Sequence, residues 1–389
     1  MIDYSKVLSG KVVEMKPSGI RKFFDILNEV PGVISLTVGE PDFKTPWHVR
    51  EAAITSLEKG KTAYTSNTGL LEFRKQISSY LERRFDVSYD PSNEMIITVG
   101  GSEAIDLAIR AIVEPGDEVL IVEPAYVCYV PMTELSGGVP VVIPTRVEDK
   151  FKLTPELLRK YITPKTKMLI LPYPNNPTGA IMTEEDLRKI ADVIKDTNIV
   201  VLTDEIYGEL TYGRRHFSFA AIPEMWDRTI YVGGFSKSYA MTGWRLGYVC
   251  APKEITKQML KIHQYAIMCA PTMSQYAGIE AVMNGDEDIE YMKDCYNQRR
   301  RMLLSGLNEI GLSCFEPEGA FYVFPRIGEY GLSSDEFCER LLYEEKCAIV
   351  PGNAFGASGE GFARISYAYS VEHISRAIDR IDKFLKRIK

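Results

Sequence analysis

Short apolar runs alternate with amphipathic helical segments along most of this chain, and that alternation constrains its fold more than any other feature. Residues 96–99, 168–171 and 199–202 are mainly apolar runs of strand length, followed closely by glycine, proline or acidic residues. A helix is predicted to begin at Thr183, with Asp186 completing its cap, and to end near Lys195. The pattern predicts an α/β fold with a mostly parallel sheet covered by helices on both faces.

Lys237 lies in an unusual local context. Gly233 and Gly234 precede it, and small or aromatic residues follow it, so the sequence predicts a partly desolvated amine. Desolvation and a nearby cation lower the pKa of an amine such as Lys237, which leaves more of the neutral form that attacks an aldehyde. Arg245, further along the same run, has a planar guanidinium whose paired N–H donors suit a phosphate. The pair indicates an aldehyde that also carries a phosphate, as pyridoxal phosphate does.

Two predicted strands deliver polar groups that such a ring requires. Asp204 follows the run 199–202, and a carboxylate there would keep a pyridine nitrogen protonated, which makes the ring a better electron sink. Tyr207 would donate to the phenolic oxygen of the ring. Asn176 lies in a loop stiffened by prolines, so its amide is expected to donate to the same oxygen. Because parallel strands end at one rim of a sheet, these side chains are expected to meet there.

A glycine turn precedes a predicted helix after residue 99. The start of a helix presents unpaired backbone N–H groups and the positive end of its dipole, which together favour an anion in the turn. Gly100, Gly101 and Ser102 are therefore predicted to form a phosphate cup. A glycine pair before a helix is a weak signal alone, and it gains force from Lys237 and Arg245.

The chain resembles the class I/II aminotransferases of pyridoxal-phosphate fold type I over nearly its whole length. The motifs that carry the resemblance occur in the family's order, at residues 36–43, 64–69, 115–119, 176–179, 204–207, 236–245 and 361–367. The chain is similar to aspartate, aromatic and N-acetyl-diaminopimelate aminotransferases. The resemblance implies a large domain, with its sheet flanked by helices, and a smaller α/β domain.

The resemblance also implies roles around the cofactor ring. Lys237 would form a Schiff base with pyridoxal phosphate and then move the proton between the substrate α-carbon and the cofactor. Asp204 would pair with the pyridine nitrogen, and Asn176 and Tyr207 would contact the ring oxygen. Tyr126 falls where relatives stack an aromatic side chain on the ring.

Phosphate contacts are implied for Gly101, Ser102, Ser236 and Arg245. Tyr64 matches a tyrosine that reaches the phosphate of the neighbouring subunit, so the resemblance implies a homodimer with shared active sites.

Substrate contacts are implied for Arg364, which matches the arginine that binds the α-carboxylate, and for Gly39 and Asn176 in the same site. From the residues alone, Arg364 lies in a predicted strand of alternating pattern, where an arginine is commonly exposed to solvent. Gly39 is compatible with a simple turn. Gly234 is a departure, because many relatives carry a serine there, and it predicts one side-chain donor fewer for the phosphate.

These residues predict a transaminase that moves an amino group from an α-amino acid to a 2-oxo acid by a ping-pong Schiff-base mechanism. A β-lyase or decarboxylase on the same fold is an alternative, because the bond that breaks depends on its alignment with the ring π-system. A ligand sensor that keeps the fold is a second alternative. It is disfavoured by the intact Lys237 and Asp204 and by the lack of a flanking DNA-binding segment.

Composition argues against several other classes. A formal net charge of −7 offers no basic field for nucleic acid, and residues 299–301, all arginines, are predicted to form a solvated helix face. The seven cysteines and four histidines lack disulfide or metal-ligand spacing, so no metal site is predicted. No signal-like or membrane-length apolar run is present, which favours the cytoplasm and no membrane partner.

The expected domains are residues 1–45, an N-terminal segment belonging to the small domain, 46–285, the large cofactor-binding domain, and 286–389, the small C-terminal domain. Arg364 would move with the small domain, and closure on the substrate carboxylate would exclude water. A long polar helix is predicted over about 289–310, and a closing amphipathic helix over 370–388. The amino donor stays open, and Arg21 is a candidate for a distal carboxylate or a surface residue.

Overall fold

The structure is a computed structural model that describes residues 2–17, 19 and 31–388, so Arg21 lies outside the described residues. Its strands, in chain order, are β1 (Ile34–Ser35), β2 (Met95–Thr98), β3 (Glu118–Glu123), β4 (Val139–Pro144), β5 (Thr166–Leu171), β6 (Val200–Asp204), β7 (Thr229–Gly234), β8 (Gly247–Cys250), β9 (Tyr322–Val323), β10 (Cys347–Ala348), β11 (Val350–Pro351) and β12 (Ala363–Ser366).

The α-helices of the described residues are α1 (Gly10–Glu14), α2 (Trp47–Glu58), α3 (Leu71–Phe85), α4 (Gly100–Ile112), α5 (Tyr129–Leu135), α6 (Pro155–Tyr161), α7 (Glu184–Ile194), α8 (Lys253–Ala266), α9 (Thr272–Asn284), α10 (Asp286–Glu309), α11 (Ser334–Glu345) and α12 (Val371–Ile388). Short 3-10 helices connect several of them. Among the described residues, no helix has the length and apolar character needed to cross a membrane.

A seven-stranded sheet forms the centre of the fold, in the order β2-β8-β7-β6-β5-β3-β4. Strands β7, β6, β5, β3 and β4 pair in parallel, whereas β8 runs antiparallel to both of its neighbours. Strands β2, β5 and β6 correspond to the predicted apolar runs, and most of their residues are buried because helices cover both faces. The predicted α/β fold with a mostly parallel sheet is confirmed.

The predicted helix after Thr183 is also confirmed, as α7. The hydroxyl of Thr183 accepts the backbone N–H of Asp186 at 3.2 Å, and the Asp186 carboxylate accepts the backbone N–H of Thr183 at 2.9 Å. This reciprocal cap satisfies two backbone donors that a helix start leaves unpaired. It therefore fixes where α7 begins.

Two small sheets involve the C-terminal part of the chain. Strand β1 pairs in parallel with β10, and β12 lies between β11 and β9 in antiparallel pairing. The apolar stripe of α12, including Ile374, Ile381 and Leu385, packs in one hydrophobic cluster with Ile34 and Leu36. N-terminal residues near position 35 thus share a core with the C-terminal residues.

The prediction of a solvated face for residues 299–301 is wrong for Arg300. Its side chain is buried, and Nη1 donates to Glu316 at 3.0 Å and to the carbonyl oxygen of Pro317 at 2.7 Å. Arg299 also has a partner, since its Nη1 lies 2.7 Å from Asp42. These partners are remote from the arginines in sequence, so the local pattern did not reveal them. Arg301 is exposed, as predicted.

Candidate active site

A cavity of about 260 Å³ lies beside the carboxyl ends of the central strands. Residues that follow β2, β3, β5, β6 and β7 line it, as expected of a parallel sheet. Every residue predicted for the site lines this cavity except Gly100 and Tyr64. The side chains that the sequence pattern located in separate loops therefore come together in one place.

Lys237 projects into this cavity from the segment after β7. Its Nζ donates a hydrogen bond of 2.7 Å to the carbonyl oxygen of Gly39. Burial lowers the pKa of Lys237 to about 8, against the opposing charge of Glu40 and with help from the nearby cations Arg364 and Arg245. A larger fraction of this amine is neutral near physiological pH than for an ordinary lysine, which is the form that attacks a carbonyl.

Asp204 is the last residue of β6 and is 7% exposed. Its Oδ2 accepts the hydroxyl of Tyr129 at 2.7 Å, and its Oδ1 accepts the backbone N–H of Ile206 at 3.2 Å. Burial raises the pKa of Asp204, while these two hydrogen bonds oppose the rise. The carboxyl group is thus held in a fixed orientation in the cavity wall, where a cationic ring nitrogen would stabilise its charged form.

Tyr207 is buried and shares a hydrogen bond of 2.8 Å with the hydroxyl of Tyr322. Burial raises the pKa of both tyrosines, so both phenols stay protonated at neutral pH. The Tyr322 hydroxyl also approaches Gly39 so closely that a Cβ at that position would overlap it. Gly39 is therefore required by a close contact in the cavity and not only by a turn.

The glycine turn at the start of α4 lies against Arg245. Gly100 has a φ of +77°, and a Cβ placed on it would come within 2.6 Å of Nη2 of Arg245. The guanidinium and the N-terminus of α4 therefore meet around Gly101 and Ser102, and both favour an anion. Arg245 itself is in the left-handed region, with a φ of 51°.

Gly234, where many relatives were expected to carry a serine, is packed against a neighbour. A Cβ at this position would lie 2.6 Å from Cδ1 of Ile206. The isoleucine side chain occupies the space that a serine side chain would need.

The side chain of Arg364 is 2% exposed, so the alternative interpretation of Arg364 as a solvent-exposed strand residue is wrong. Its guanidinium lies between two rings, 4.5 Å from the centroid of Tyr322 and 4.7 Å from that of Phe355. Nη1 donates to Oδ1 of Asn176 at 2.9 Å, and Nη2 donates to the carbonyl oxygen of Thr37. Its Nε is buried without a hydrogen-bond partner among the described residues. A buried cation is stabilised by a counter-charge, so this position favours the binding of an anion.

Comparisons with known proteins agree with this geometry. Residues 31–381 match the family of aminotransferase class I and II. The chain belongs to the class I/II aminotransferases. It is 53% identical over 380 residues to the putative aminotransferase YugH of Bacillus subtilis (strain 168), with 98% of each chain covered.

Two further relatives support the assignment. The aminotransferase is 44% identical over 379 residues to the probable N-acetyl-LL-diaminopimelate aminotransferase of Bacillus subtilis (strain 168), covering 97% of this chain and 96% of the relative. It also superposes on the solved structure of the Thermus thermophilus aspartate aminotransferase with maleate, with a TM-score of 0.92 and 38% identity. That match covers 97% of this chain and 99% of the other. The fold is therefore that of the fold type I aminotransferases.

The aminotransferase depends on pyridoxal phosphate, as its family does. The residues of the cavity fit this cofactor. Lys237 is an amine of lowered pKa for the aldehyde, Asp204 is a buried acid for the ring nitrogen, and the turn at Gly100 with Arg245 is suited to the phosphate. A side chain at Gly100 would overlap the guanidinium of Arg245.

Two tyrosines of the aminotransferase site were not predicted from the sequence. Tyr129 lies three residues after Tyr126 at the start of α5, and only this closeness in sequence to a predicted site residue could have indicated it. Tyr322 had no comparable signal, because its contacts with Tyr207 and Arg364 join segments far apart in the chain. Tyr64 is 81% exposed and does not line the cavity of its own chain.

Proposed function

We propose that Lys237 is the amine that carries pyridoxal phosphate in this aminotransferase, and that Arg364 binds the α-carboxylate of the amino-acid substrate. The observation that carries the proposal is the position of both groups in one cavity. Arg364 and Lys237 both line it, the buried Nε of Arg364 has no hydrogen-bond partner among the described residues, and the amine of Lys237 has a pKa lowered to about 8. A substrate bound by its carboxylate would place its amino group and α-carbon near that amine.

When bound, pyridoxal phosphate supplies an aldehyde and an electron-accepting ring that stabilises negative charge at the substrate α-carbon. Asp204 keeps a proton on the ring nitrogen, with its orientation fixed by Tyr129. Nζ of Lys237 would accept the proton from the substrate α-carbon and deliver it to the carbon of the cofactor's aldehyde group. Tyr207 and the amide of Asn176 donate to the ring oxygen.

Asn176 is supported as a donor by its contact with Arg364. Because the guanidinium donates to the side chain of Asn176, the atom that faces it must be the carbonyl oxygen. The amide nitrogen, which has no hydrogen bond among the described residues, then remains for the ring oxygen. One side chain would thus contact both the cofactor and the carboxylate-binding arginine.

The phosphate is assigned to Gly101, Ser102, Ser236 and Arg245, all of which line the cavity. Tyr126 also lines it and packs edge-on against Tyr129, with ring centroids 6.1 Å apart. We assign to Tyr126 the role of stacking on the cofactor ring. Gly39 lines the substrate side, where its carbonyl oxygen accepts Lys237.

The amino donor is an α-amino acid, and the acceptor is a 2-oxo acid. Relatives are named as aspartate, aromatic-amino-acid and N-acetyl-LL-diaminopimelate aminotransferases, and these names give the first donors to test. The cavity also offers apolar surface from Ile105, Pro172 and Pro174 beside its charged groups.

A cytoplasmic homodimer is part of the proposal. Tyr64 is available to a second copy because it is exposed and outside the cavity of its own chain, and six apolar residues between Ile2 and Val13 are exposed as well. All seven cysteines are free thiols, which suits a reducing compartment.

We further propose that residues 1–45 and 286–389 form the small domain and residues 46–285 the large one. The cluster shared by Ile34 and α12 supports grouping the N-terminal segment with the C-terminal part, and it also packs against Tyr207 and Leu210 of the large part.

Single-turnover screening tests the proposed function. Each donor is mixed with the holoenzyme without acceptor, and the visible cofactor band and the 2-oxo acid are followed. Transamination predicts loss of the band with one equivalent of 2-oxo acid per site. Catalytic release of ammonia and 2-oxo acid would instead identify a lyase. A Lys237→Ala variant that kept full multiple turnover would refute the role of Lys237.

A further inference from the structure

Tyr322 contacts several parts of the cavity at once. Its hydroxyl shares the 2.8 Å hydrogen bond with Tyr207, and its ring lies 4.5 Å from the guanidinium carbon of Arg364. The same hydroxyl fills the space beside Gly39, whose carbonyl oxygen accepts Lys237. Tyr322 is fully buried, so all of these contacts are made away from bulk water.

The partners of Tyr322 come from different sheets. Tyr322 is in β9, which pairs with β12, the strand that holds Arg364. Tyr207 follows β6 of the central sheet. The hydroxyl pair therefore joins the sheet that carries the carboxylate-binding arginine to the sheet that carries the groups around the ring.

The two hydroxyls carry two protons, and one hydrogen bond between them uses only one. Burial raises the pKa of both tyrosines, so neither is ionised at neutral pH. If Tyr322 donates, the proton of Tyr207 is left for an acceptor in the cavity. A phenol that accepts a hydrogen bond also becomes a stronger donor, because linked hydrogen bonds polarise one another.

We propose that Tyr322 is a positioning residue for amino transfer, whose hydroxyl directs the phenol proton of Tyr207 into the cavity and whose ring supports the guanidinium of Arg364. This inference rests on the proposed roles of Tyr207 and Arg364. It assigns two separable tasks to one side chain, and the two tasks are tested by different substitutions.

Tyr322→Phe removes the hydroxyl and keeps the ring. The visible absorption band of the bound cofactor changes with pH, and the midpoint is the pH at which half of that change has occurred. In the Tyr322→Phe holoenzyme, this midpoint rises by about half to one unit, the size expected for one lost hydrogen bond. The midpoint also rises in Tyr207→Phe, and it rises further there than in Tyr322→Phe. The KM for the donor that reacts in the single-turnover screen stays within about twofold, because the ring still supports Arg364.

Tyr322→Leu removes the ring as well. The midpoint shifts as it does in Tyr322→Phe, and the KM for the same donor rises roughly three- to tenfold because the guanidinium loses one supporting face. Tyr367→Phe is the matched control. Tyr367 is equally buried, and its hydroxyl donates to the carbonyl oxygen of Ala320 at 3.0 Å, so its loss changes neither the midpoint nor the KM.

Two results overturn the proposal. One is an unshifted midpoint in Tyr322→Phe while Tyr207→Phe shifts it, and the other is an unchanged KM in Tyr322→Leu. An unshifted midpoint in Tyr207→Phe itself would remove the proposed role of Tyr207, and this inference with it. Borohydride reduction followed by mass spectrometry reports separately whether Lys237 carries the cofactor, so a failure of the proposed function is distinguished from a failure of this inference.

Discussion

The hydroxyl of Tyr129 lies 2.7 Å from Oδ2 of Asp204, and both side chains are buried. This hydrogen bond opposes the rise that burial imposes on the pKa of Asp204. It therefore helps to keep the carboxyl group ionised, which is the form that pairs with a protonated ring nitrogen. Tyr129 thus influences the cofactor indirectly, through its hydrogen bond to Asp204.

Tyr129→Phe is expected to raise the pKa of Asp204, because the hydrogen bond that opposes the effect of burial is lost. Because the ionised carboxylate is needed, the acidic limb of the pH profile of kcat/KM moves to higher pH, and activity falls on that limb. Tyr89→Phe is the control, because the buried hydroxyl of Tyr89 has no partner among the described residues. An unmoved acidic limb in Tyr129→Phe would contradict this role.

The lowered pKa of Lys237 predicts how fast the apoenzyme takes up pyridoxal phosphate at each pH. The neutral amine is the nucleophile, so the rate of appearance of the visible band is expected to rise with pH around a midpoint near 8. Glu40 raises the pKa of Lys237, so Glu40→Gln should move the midpoint to lower pH. Stopped-flow absorbance measures both, with Lys237→Ala as the blank. A midpoint near the ordinary lysine value would show that the amine is not desolvated in solution.

Gly100→Ala is expected to weaken pyridoxal phosphate binding by roughly tenfold or more, because the new methyl group displaces Arg245 from the phosphate end of the cavity. Gly116→Ala is the matched control. Gly116 also has a positive φ, of +94°, but a Cβ on it would meet nothing within 4 Å. Both variants should lose a similar amount of stability, about 1–2 kcal/mol, from the strained backbone. Equilibrium dialysis separates the two effects, and equal cofactor affinity in both variants would count against the phosphate assignment.

The central strands and most of the site were predictable from local sequence, whereas the contacts between distant segments were not. Apolar runs reveal buried strands, and the residues just after them, such as Asp204 and Asn176, must then meet at one rim of the sheet. The partners Tyr322 and Tyr129 had to be found in the structure, since a hydroxyl contact across more than 70 positions leaves no local pattern. The burial of Arg300 was missed because two of its partners, Glu316 and Pro317, follow the turn after its helix and leave no pattern within the helix itself.

Arg364→Lys is expected to raise the KM for the amino donor about a hundredfold while the visible cofactor band persists. A lysine offers a point charge and cannot keep a planar fork between Tyr322 and Phe355 while it bonds to Asn176. Arg326→Lys is a suitable control, because Arg326 is exposed and lies 5.9 Å from the ring of Phe362. Steady-state kinetics gives KM and kcat for both variants. An unchanged KM in Arg364→Lys would place the carboxylate elsewhere, since an ammonium group cannot reproduce the paired N–H donors that a guanidinium offers to a carboxylate.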